Sequence, residues 1–517
     1  VAFFRSNSFF LSVLTSLLLW LSFPGGGEIW PLLVVTLVPL FFALRGVSVK
    51  GATLCGITCG LVHFTLLLYW IVIVLGKYGG LAWFISLQAL LLLALYMSLY
   101  FALFAVLARF IMLAFPAALT LWLLPALWVG LDWLRGVLLT GFPWMDLGYA
   151  LYKEPYFIQI ADLVGHHGVT FLVVFINIFL LLIFSKKHSA LTYFLILVPA
   201  LSLIGCVGLY SKNRFEEVQQ SIAAKDASRV TVGIVQGNVD QSVKWSPSQQ
   251  QETVERYLTQ TEGLFASKRP AIVVWPETAL PFYPPSNGHM QPLKELVAKN
   301  DFALLTGAPW YEIIDREARK VKFFNSALLL RPDGLFGSKY YKTHLVPFGE
   351  YIPLKKFLPF LAPLVEAVGD FSFGSIEQPL VWQEARAGIL ICFESVFPDL
   401  SRKWVLAGAN ILVNLTNDAW YGKSSAPHHS LAMSVLRAVE TRRSLIRSAN
   451  TGISAFVSPA GTITKQSELF VPWAEATDVV LRGELTVWAR YGYLFAPVCL
   501  GIGLFGGLVA GVRRRWV

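Results

Sequence analysis

The sequence predicts a multispanning membrane protein that carries one large α/β domain outside the bilayer. Three observations point there. The chain of 517 residues is 55% hydrophobic and only 14% charged, with a mean hydropathy of +0.59. An ordinary soluble core does not explain values so apolar. The apolar residues are also unevenly spread. Residues 1–211 hold five acids (Glu28, Asp132, Asp146, Glu154 and Asp162) against nine Lys and Arg, whereas residues 212–494 hold 27 acids against 30 Lys and Arg. Finally, that polar block alternates short apolar runs with amphipathic helical patterns.

The spans come first. A membrane-crossing helix needs about 20 mostly apolar residues. Seven such runs precede the polar block, near 9–23, 29–44, 52–75, 81–108, 117–134, 168–185 and 191–210, and an eighth lies at 494–512. The first is short and polar-flanked like a signal peptide, but no small-x-small cleavage site follows it. Arg5, Arg45, Lys50, Arg109, Lys186, Lys187, Arg513, Arg514 and Arg515 fall on one side of the alternating loops. The positive-inside bias makes that side cytoplasmic. Both termini then lie inside. The polar block, after an odd number of spans, lies outside the cytoplasmic membrane. The expected division is 1–211 for the first seven spans, 212–493 for the outer domain, and 494–517 for the eighth span and a cytoplasmic tail. The net charge of +10 is spread over short loops, so no dense patch suits nucleic acid.

Next come the elements of the outer domain. Residues 212–228 read as a linker. RVTVGIVQ (229–236) alternates as a strand does. A helix over 247–265 opens with Ser246 as N-cap and Pro247 at its first position. AIVVW (271–275), FALLTG (302–307), FFNSALLL (323–330), GILIC (388–392) and ILVNLT (411–416) read as further strands, and 427–444 as a helix. GISAFVSPAGTIT closes the domain with strands about a turn at Pro459, Ala460 and Gly461. Such alternation predicts a layered α/β fold. The apolar, Pro- and Phe-bearing stretch 353–380 reads as a lid or membrane-dipping flap.

Cys55, Cys59, Cys206 and Cys499 fall in spans, and Cys392 stands alone in the polar block. One cysteine cannot form a disulfide within its own domain. It ends a strand in GILIC, as Glu277 follows one in VVWPETALP and Lys342 lies in KYYKTHLVPFGE. In a layered α/β domain, ligand chemistry gathers outside strand C-termini. Each residue also has a bland reading: a turn carboxylate, a surface ammonium, a packed thiol. Together they have complementary jobs. A carboxylate can take the thiol proton and deliver it later. An ammonium can stabilise a thiolate and then an oxyanion. The thiolate is the nucleophile.

These segments, in this order, resemble the nitrilase superfamily of Glu-Lys-Cys carbon–nitrogen hydrolases. With the spans, and with LRGVLLTGFPWMDLGY (134–149), QGNVDQSVKW (236–245), YKTHLVPFGEYIPL (341–354), ICFES and LTNDAWYGKS (415–424), the chain resembles the bacterial apolipoprotein N-acyltransferase family over essentially its full length. The resemblance implies an eight-helix transmembrane bundle plus a nitrilase-like αββα sandwich facing the periplasm from the inner membrane. It implies transfer of a fatty acyl chain from a phospholipid, typically phosphatidylethanolamine, to the α-amino group of a diacylglyceryl-cysteine at a lipoprotein's N-terminus. It makes Cys392 the acyl carrier, Glu277 the general base and Lys342 the electrostatic partner. It adds Trp245, Glu350, Phe393, Glu394, Trp420 and Tyr421 as supporting residues, and a monomer with neither metal nor cofactor. Phe393 stands where the family often has Tyr, which leaves a backbone N–H but no hydroxyl. The rival reading is a membrane-tethered amidase acting on a small amide.

Several other features have open readings. The aromatics of GFPWMDLGY line a lipid entrance or form an interfacial belt. Arg135 pairs with a phosphate or snorkels. Adjacent histidines at 166–167 and 428–429 point apart on a helix and lack an acid at ligand spacing, which speaks against metal. Asn414 and Asp418 are expected to fix the loop beside Cys392. GIGLFGG (501–507) lies in a span, so Gly503 and Gly507 read as packing glycines at a close helix crossing.

Overall fold

Long apolar runs become helices because no water is available to satisfy an open backbone within a bilayer. The computed structural model describes residues 6–185, 188–315, 317, 320–351 and 371–513. Among these, six helices are long and apolar enough to cross a membrane: Val49–Leu67, Trp83–Ala114, Ala117–Thr140, His166–Phe184, Ala190–Ala223 and Gly492–Arg513. Ser48 and Ser189 cap two of them by accepting a backbone N–H. Asn7–Ser22 is a shorter apolar helix. The run expected at 29–44 is broken into Trp30–Val34 and Val38–Ala43, each with a proline in its first turn.

The helix packing answers the reading of GIGLFGG. A Cβ on Gly503 would meet Leu127 Cα at 2.5 Å, and one on Gly130 would meet Leu500 Cα at 2.3 Å. Two backbones touch where side chains are missing on both helices. Gly507 instead faces the Leu107 side chain. The expected linker at 212–228 is mostly helix. Ala190–Ala223 runs straight through it, held by Arg214, which pairs with Asp162 at 2.7 Å.

The polar block after the first helices contains two six-stranded sheets. The first comprises β1 (Arg229–Gln236), β2 (Ile272–Val274), β3 (Ala303–Asp315), β4 (Lys320–Leu330), β5 (Phe336–Tyr341) and β12 (Trp473–Val480), in the order β12-β1-β2-β3-β4-β5. The second comprises β6 (Leu380–Trp382), β7 (Ala385–Ile391), β8 (Ile411–Thr416), β9 (Ser444–Ala449), β10 (Ala455–Val457) and β11 (Ile463–Gln466), in the order β11-β10-β9-β8-β7-β6. Strands β1, β2 and β3 are parallel, as are β7, β8 and β9. Side chains alternate with period two. Val232, Ile272, Val274 and Leu305 of the first sheet face Ala387, Ile411 and Val413 of the second. The opposite face of the first sheet, with Val235, Val273 and Leu304, packs on helices Pro247–Ser267 and Met290–Asn300. On the outer face of the second sheet, Trp404 of helix Pro398–Leu406 donates its indole N–H to the carbonyl of Ile389 at 2.5 Å. The result is the four-layered αββα arrangement. The expected flap at 353–380 falls largely on residues 352–370, outside the described residues.

One buried helix joins domain to bundle. Ala426–Thr441 is buried along nearly its whole length. From it, Arg437 donates to Tyr149 Oη at 3.0 Å and to Glu440 at 2.9 Å. Glu440 also accepts from His166 Nδ1 at 3.0 Å, and His166 Nε2 meets Asp146 at 2.9 Å. Asp146 in turn pairs with Arg135. Just beyond this helix, Arg442 pairs with Asp162 at 2.8 Å. All these charges are buried. Arg135 therefore neither snorkels nor faces a phosphate; it also donates to the carbonyls of Phe142 and Trp144, both at 3.2 Å. Removing one partner of a buried pair strands the other charge. Arg437→Met is expected to cost about 3–5 kcal/mol and to lower the melting temperature in detergent. The double variant Arg437→Met/Glu440→Leu is expected to melt closer to the native chain than the two single losses added together. Melting curves for all three variants check this.

Candidate active site

Glu277 lies three residues past β2, Lys342 one past β5 and Cys392 one past β7. Parallel strands carry their C-terminal ends to one side, so the three residue types meet there. Lys342 is fully buried. Its Nζ lies 2.9 Å from Glu350 Oε2 and 3.7 Å from Glu277 Oε1. Asn325 of β4 donates 2.8 Å bonds to both carboxylates. The second oxygen of Glu277 accepts the backbone N–H of Asn417 at 2.9 Å. Burial alone pulls an ammonium down, but Glu350 and then Glu277 hold Lys342 well above its ordinary range. It stays a cation.

Cys392 begins a tight 3-10 turn, Cys392–Val396. Its φ is +51°, a region that residues other than glycine seldom occupy. Glu394 holds this turn from within. Its carboxylate accepts from the backbone N–H groups of Ile391 (2.7 Å), Thr343 (2.7 Å) and His344 (3.0 Å), and from the hydroxyls of Tyr340 (2.8 Å) and Thr343 (2.9 Å). The segment after Lys342 and the turn of Cys392 are thereby fastened to one carboxylate. Burial, then the charge of Glu277, pushes the thiol up to about 12, while Lys342 opposes them. The resting group is the protonated thiol.

On the bundle side lies an aromatic wall. Phe142, Trp144 and Phe393 stack, with ring planes 9° apart for Phe142–Trp144 and 20° for Trp144–Phe393. Trp144 donates its indole N–H to His429 Nδ1 at 3.1 Å. Burial pushes His429 down to about 3, leaving it neutral and able to accept. Tyr421 packs edge-on to Trp70 at 4.9 Å, and Trp420 to Tyr78 at 5.5 Å. Phe142 and Trp144 of GFPWMDLGY thus meet the Cys392 turn, whereas Tyr149 stacks on His166. Trp245 is 46% exposed, on the loop before helix Pro247–Ser267.

Asp418 holds the loop, accepting from Thr416 Oγ1 at 2.8 Å, whereas Asn414 lies within β8 and donates to the Leu390 carbonyl of β7 at 2.8 Å. Both bind Arg447 of β9, which is fully buried and pairs with Asp418 at 2.7 Å. Sequence reasoning missed Arg447, since an arginine in the apolar pattern of β9 gives no sign of its partners. It also missed His344, whose ring packs 3.8 Å from that of Phe397. Burial, then Lys342, pushes His344 down to about 4. Asp146, His166 and His167 bring ligand atoms within 4.8 Å of one another. The Arg135 guanidinium already occupies Asp146, and both nitrogens of His166 are bonded to carboxylates. That arrangement fits an ion-pair chain better than a metal centre.

Comparison with known proteins follows this geometry. Residues 15–179 match the family described as "Apolipoprotein N-acyltransferase N-terminal domain", and residues 231–472 match "Carbon-nitrogen hydrolase". The two-sheet domain is therefore a nitrilase-like fold. A protein of Geobacter metallireducens named apolipoprotein N-acyltransferase is 38% identical over 511 residues, covering 96% of this chain and 93% of that one. A protein of Methylococcus capsulatus with the same name is 32% identical, covering 93% and 92%. One of Chlorobaculum tepidum, also so named, is 30% identical, covering 99% and 98%. Two family matches in the right order and near-complete alignment at this identity lead to one conclusion: the chain belongs to the apolipoprotein N-acyltransferase family.

Proposed function

We propose that this protein moves a fatty acyl chain from a membrane phospholipid to the α-amino group of a diacylglyceryl-cysteine at a lipoprotein's N-terminus. The observation that carries the reading is the buried Glu277–Lys342–Glu350 cluster beside the strained Cys392 turn, set against an apolar aromatic wall. In the first step the Cys392 sulfur attacks the ester carbonyl of the phospholipid. The S–H proton passes to Glu277 as the C–S bond forms. The C–O bond then breaks, and Glu277 returns the proton to the departing lysophospholipid oxygen. In the second step the lipoprotein amine attacks the thioester. The C–N bond forms, the C–S bond breaks, and the amine proton travels through Glu277 to the sulfur. Lys342 offsets the negative charge that develops on the carbonyl oxygen and sulfur. Glu350 keeps Lys342 charged, and Glu394 holds the nucleophile's turn. Trp245, Phe393, Trp420 and Tyr421 line the path of the acyl chain. One site serves two bulky lipids in turn, as ping-pong chemistry allows.

The membrane arrangement belongs to the same reading. Eight spans include Asn7–Ser22 and Trp30–Ala43 beside the six longer helices. The division is 1–211, 212–493 and 494–517, with both termini cytoplasmic and the catalytic domain in the periplasm. The protein acts as a monomer in the inner membrane.

A direct test incubates the purified chain with phosphatidylethanolamine and a diacylated lipopeptide. The peptide is expected to gain one fatty-acyl mass, and Cys392 to carry the acyl group when the peptide is left out. Cys392→Ala, Glu277→Ala and Lys342→Ala are each expected to abolish the gain. Turnover of a small soluble amide with no lipid adduct would instead favour hydrolysis. A second test concerns the thiol itself. With Cys392 pushed up to about 12, only the growing thiolate fraction reacts with iodoacetamide. Alkylation without lipid is expected to rise about tenfold per pH unit across the neutral-to-alkaline range. In Lys342→Met the missing cation leaves the thiol still harder to ionise, so alkylation at each pH is expected to be slower. Mass spectrometry of the alkylated protein reads both.

A further inference from the structure

Lys244 takes no part in the chemistry so far. Its side chain is nevertheless fully buried. Among the described residues, Nζ has two hydrogen-bond partners, Thr278 Oγ1 at 2.9 Å and the carbonyl oxygen of Glu277 at 3.4 Å. Neither is charged. A lysine buried without a carboxylate partner is costly, so its placement needs a reason.

The reason lies in the turn it touches. Thr278 has a φ of +47°, and a β-branched residue resists that conformation strongly. The turn is pressed against β3 at Gly307. A Cβ there would lie 2.5 Å from Thr278 N and 2.6 Å from Glu277 Cα. The backbone N–H of Gly307 bonds to the carbonyl of Pro276 at 3.1 Å. A strained turn that presents a reactive carboxylate stays in place only if its surroundings over-determine it. Gly307 supplies one hold and Lys244 another. Lys244 also immediately precedes the half-exposed Trp245. Their loop is tied to the other sheet through Asn450, which bonds the backbone N–H of Val239 at 2.9 Å, and through Gln241, which accepts from Asn417 at 2.6 Å.

We infer that Lys244 is a positioning residue: it pins the Trp245-bearing loop to the turn of Glu277 and so sets the aim of that carboxylate. The inference rests on the acyl-transfer reading above. A neutral amine still has two N–H groups, so the tie survives loss of the charge. Burial pushes Lys244 down to about 7, with Glu277 opposing. Of the other charged groups nearby, Asp240 on the same loop spends its carboxylate on Ser242, and Arg256 of helix Pro247–Ser267 pairs with Glu252. Glu277 itself faces Lys342. Lys244 therefore changes charge near neutrality beside the base.

The test measures acylation of Cys392 by phosphatidylethanolamine in micelles, using the full chain and intact-protein mass spectrometry across pH. Lys244→Met is expected to slow acylation about 10²-fold, with little change in the phospholipid concentration that half-saturates it. Lys244→Gln keeps N–H donors without a titrating charge. It is expected to recover much of the rate and to lose the inflection near neutral pH that the native chain shows. Native-rate acylation by Lys244→Met overturns the inference. Should Lys244→Met fail to fold, Lys244→Gln decides alone, and a pH profile identical to the native one overturns it. If the native chain forms no adduct at all, the acyl-transfer reading fails and takes this inference with it. A native adduct with unaltered Lys244 variants sinks the inference alone.

Discussion

A fully buried ammonium must have company, and the active centre is organised around that requirement. Lys342 lies between Glu350 and Glu277, with Asn325 bridging the two carboxylates. Two acids facing one cation leave a net negative cluster. Such a cluster discourages a thiol from ionising before substrate arrives, and the resting thiol is indeed held protonated. The cluster also fixes where the carboxylates point, because each oxygen that bonds Lys342 or Asn325 has lost its freedom to rotate. Desolvation, which makes the isolated charges costly, also makes their mutual attraction strong. The cluster is therefore stiff.

The rest of the domain supplies the frame. Two parallel strand sets bring Glu277 and Cys392 to the same side, and an antiparallel extension of the first sheet brings Lys342. Glu394 then joins the two sheets' loops at a single carboxylate. The left-handed backbone of Cys392 and Thr278 is tolerated because these networks hold it. Phe393 stacks with Phe142 and Trp144. Its ring continues the apolar wall on the bundle side.

Much of this was legible from the residues alone. Apolar runs near 20 residues read as the long helices, and Glu277, Lys342 and Cys392 read as residues at strand ends, where the structure has them. Asp418 reads as a loop anchor and is one, while Asn414 proves to be a strand residue bonded to β7. What stayed hidden depends on partners far apart in the chain. Arg135 looked like a snorkelling residue because a helix end gives no sign of Asp146, which lies beyond the turn. Glu440 and His166 are separated by most of the outer domain, so nothing local marks their bond. The helix over 212–223 reads as linker because its polar residues, taken alone, resemble a solvated stretch; Asp162 on the bundle gives Arg214 its hold. Broken segments also escape periodicity, as the two prolines of Trp30–Ala43 show.

The helix Ala426–Thr441 has one more consequence. Its contact with the bundle is not only a seam of greasy contacts: Glu440 pairs with His166 and Arg437 donates to Tyr149, each bond joining the two halves of the chain. Cutting the sandwich free would bare Arg437 and Glu440 and take from His166 and Tyr149 their partners across the join. The two halves are thus poor candidates for modular exchange. A chimera joining this catalytic half to a foreign anchor would have to bring the entire electrostatic lock with it.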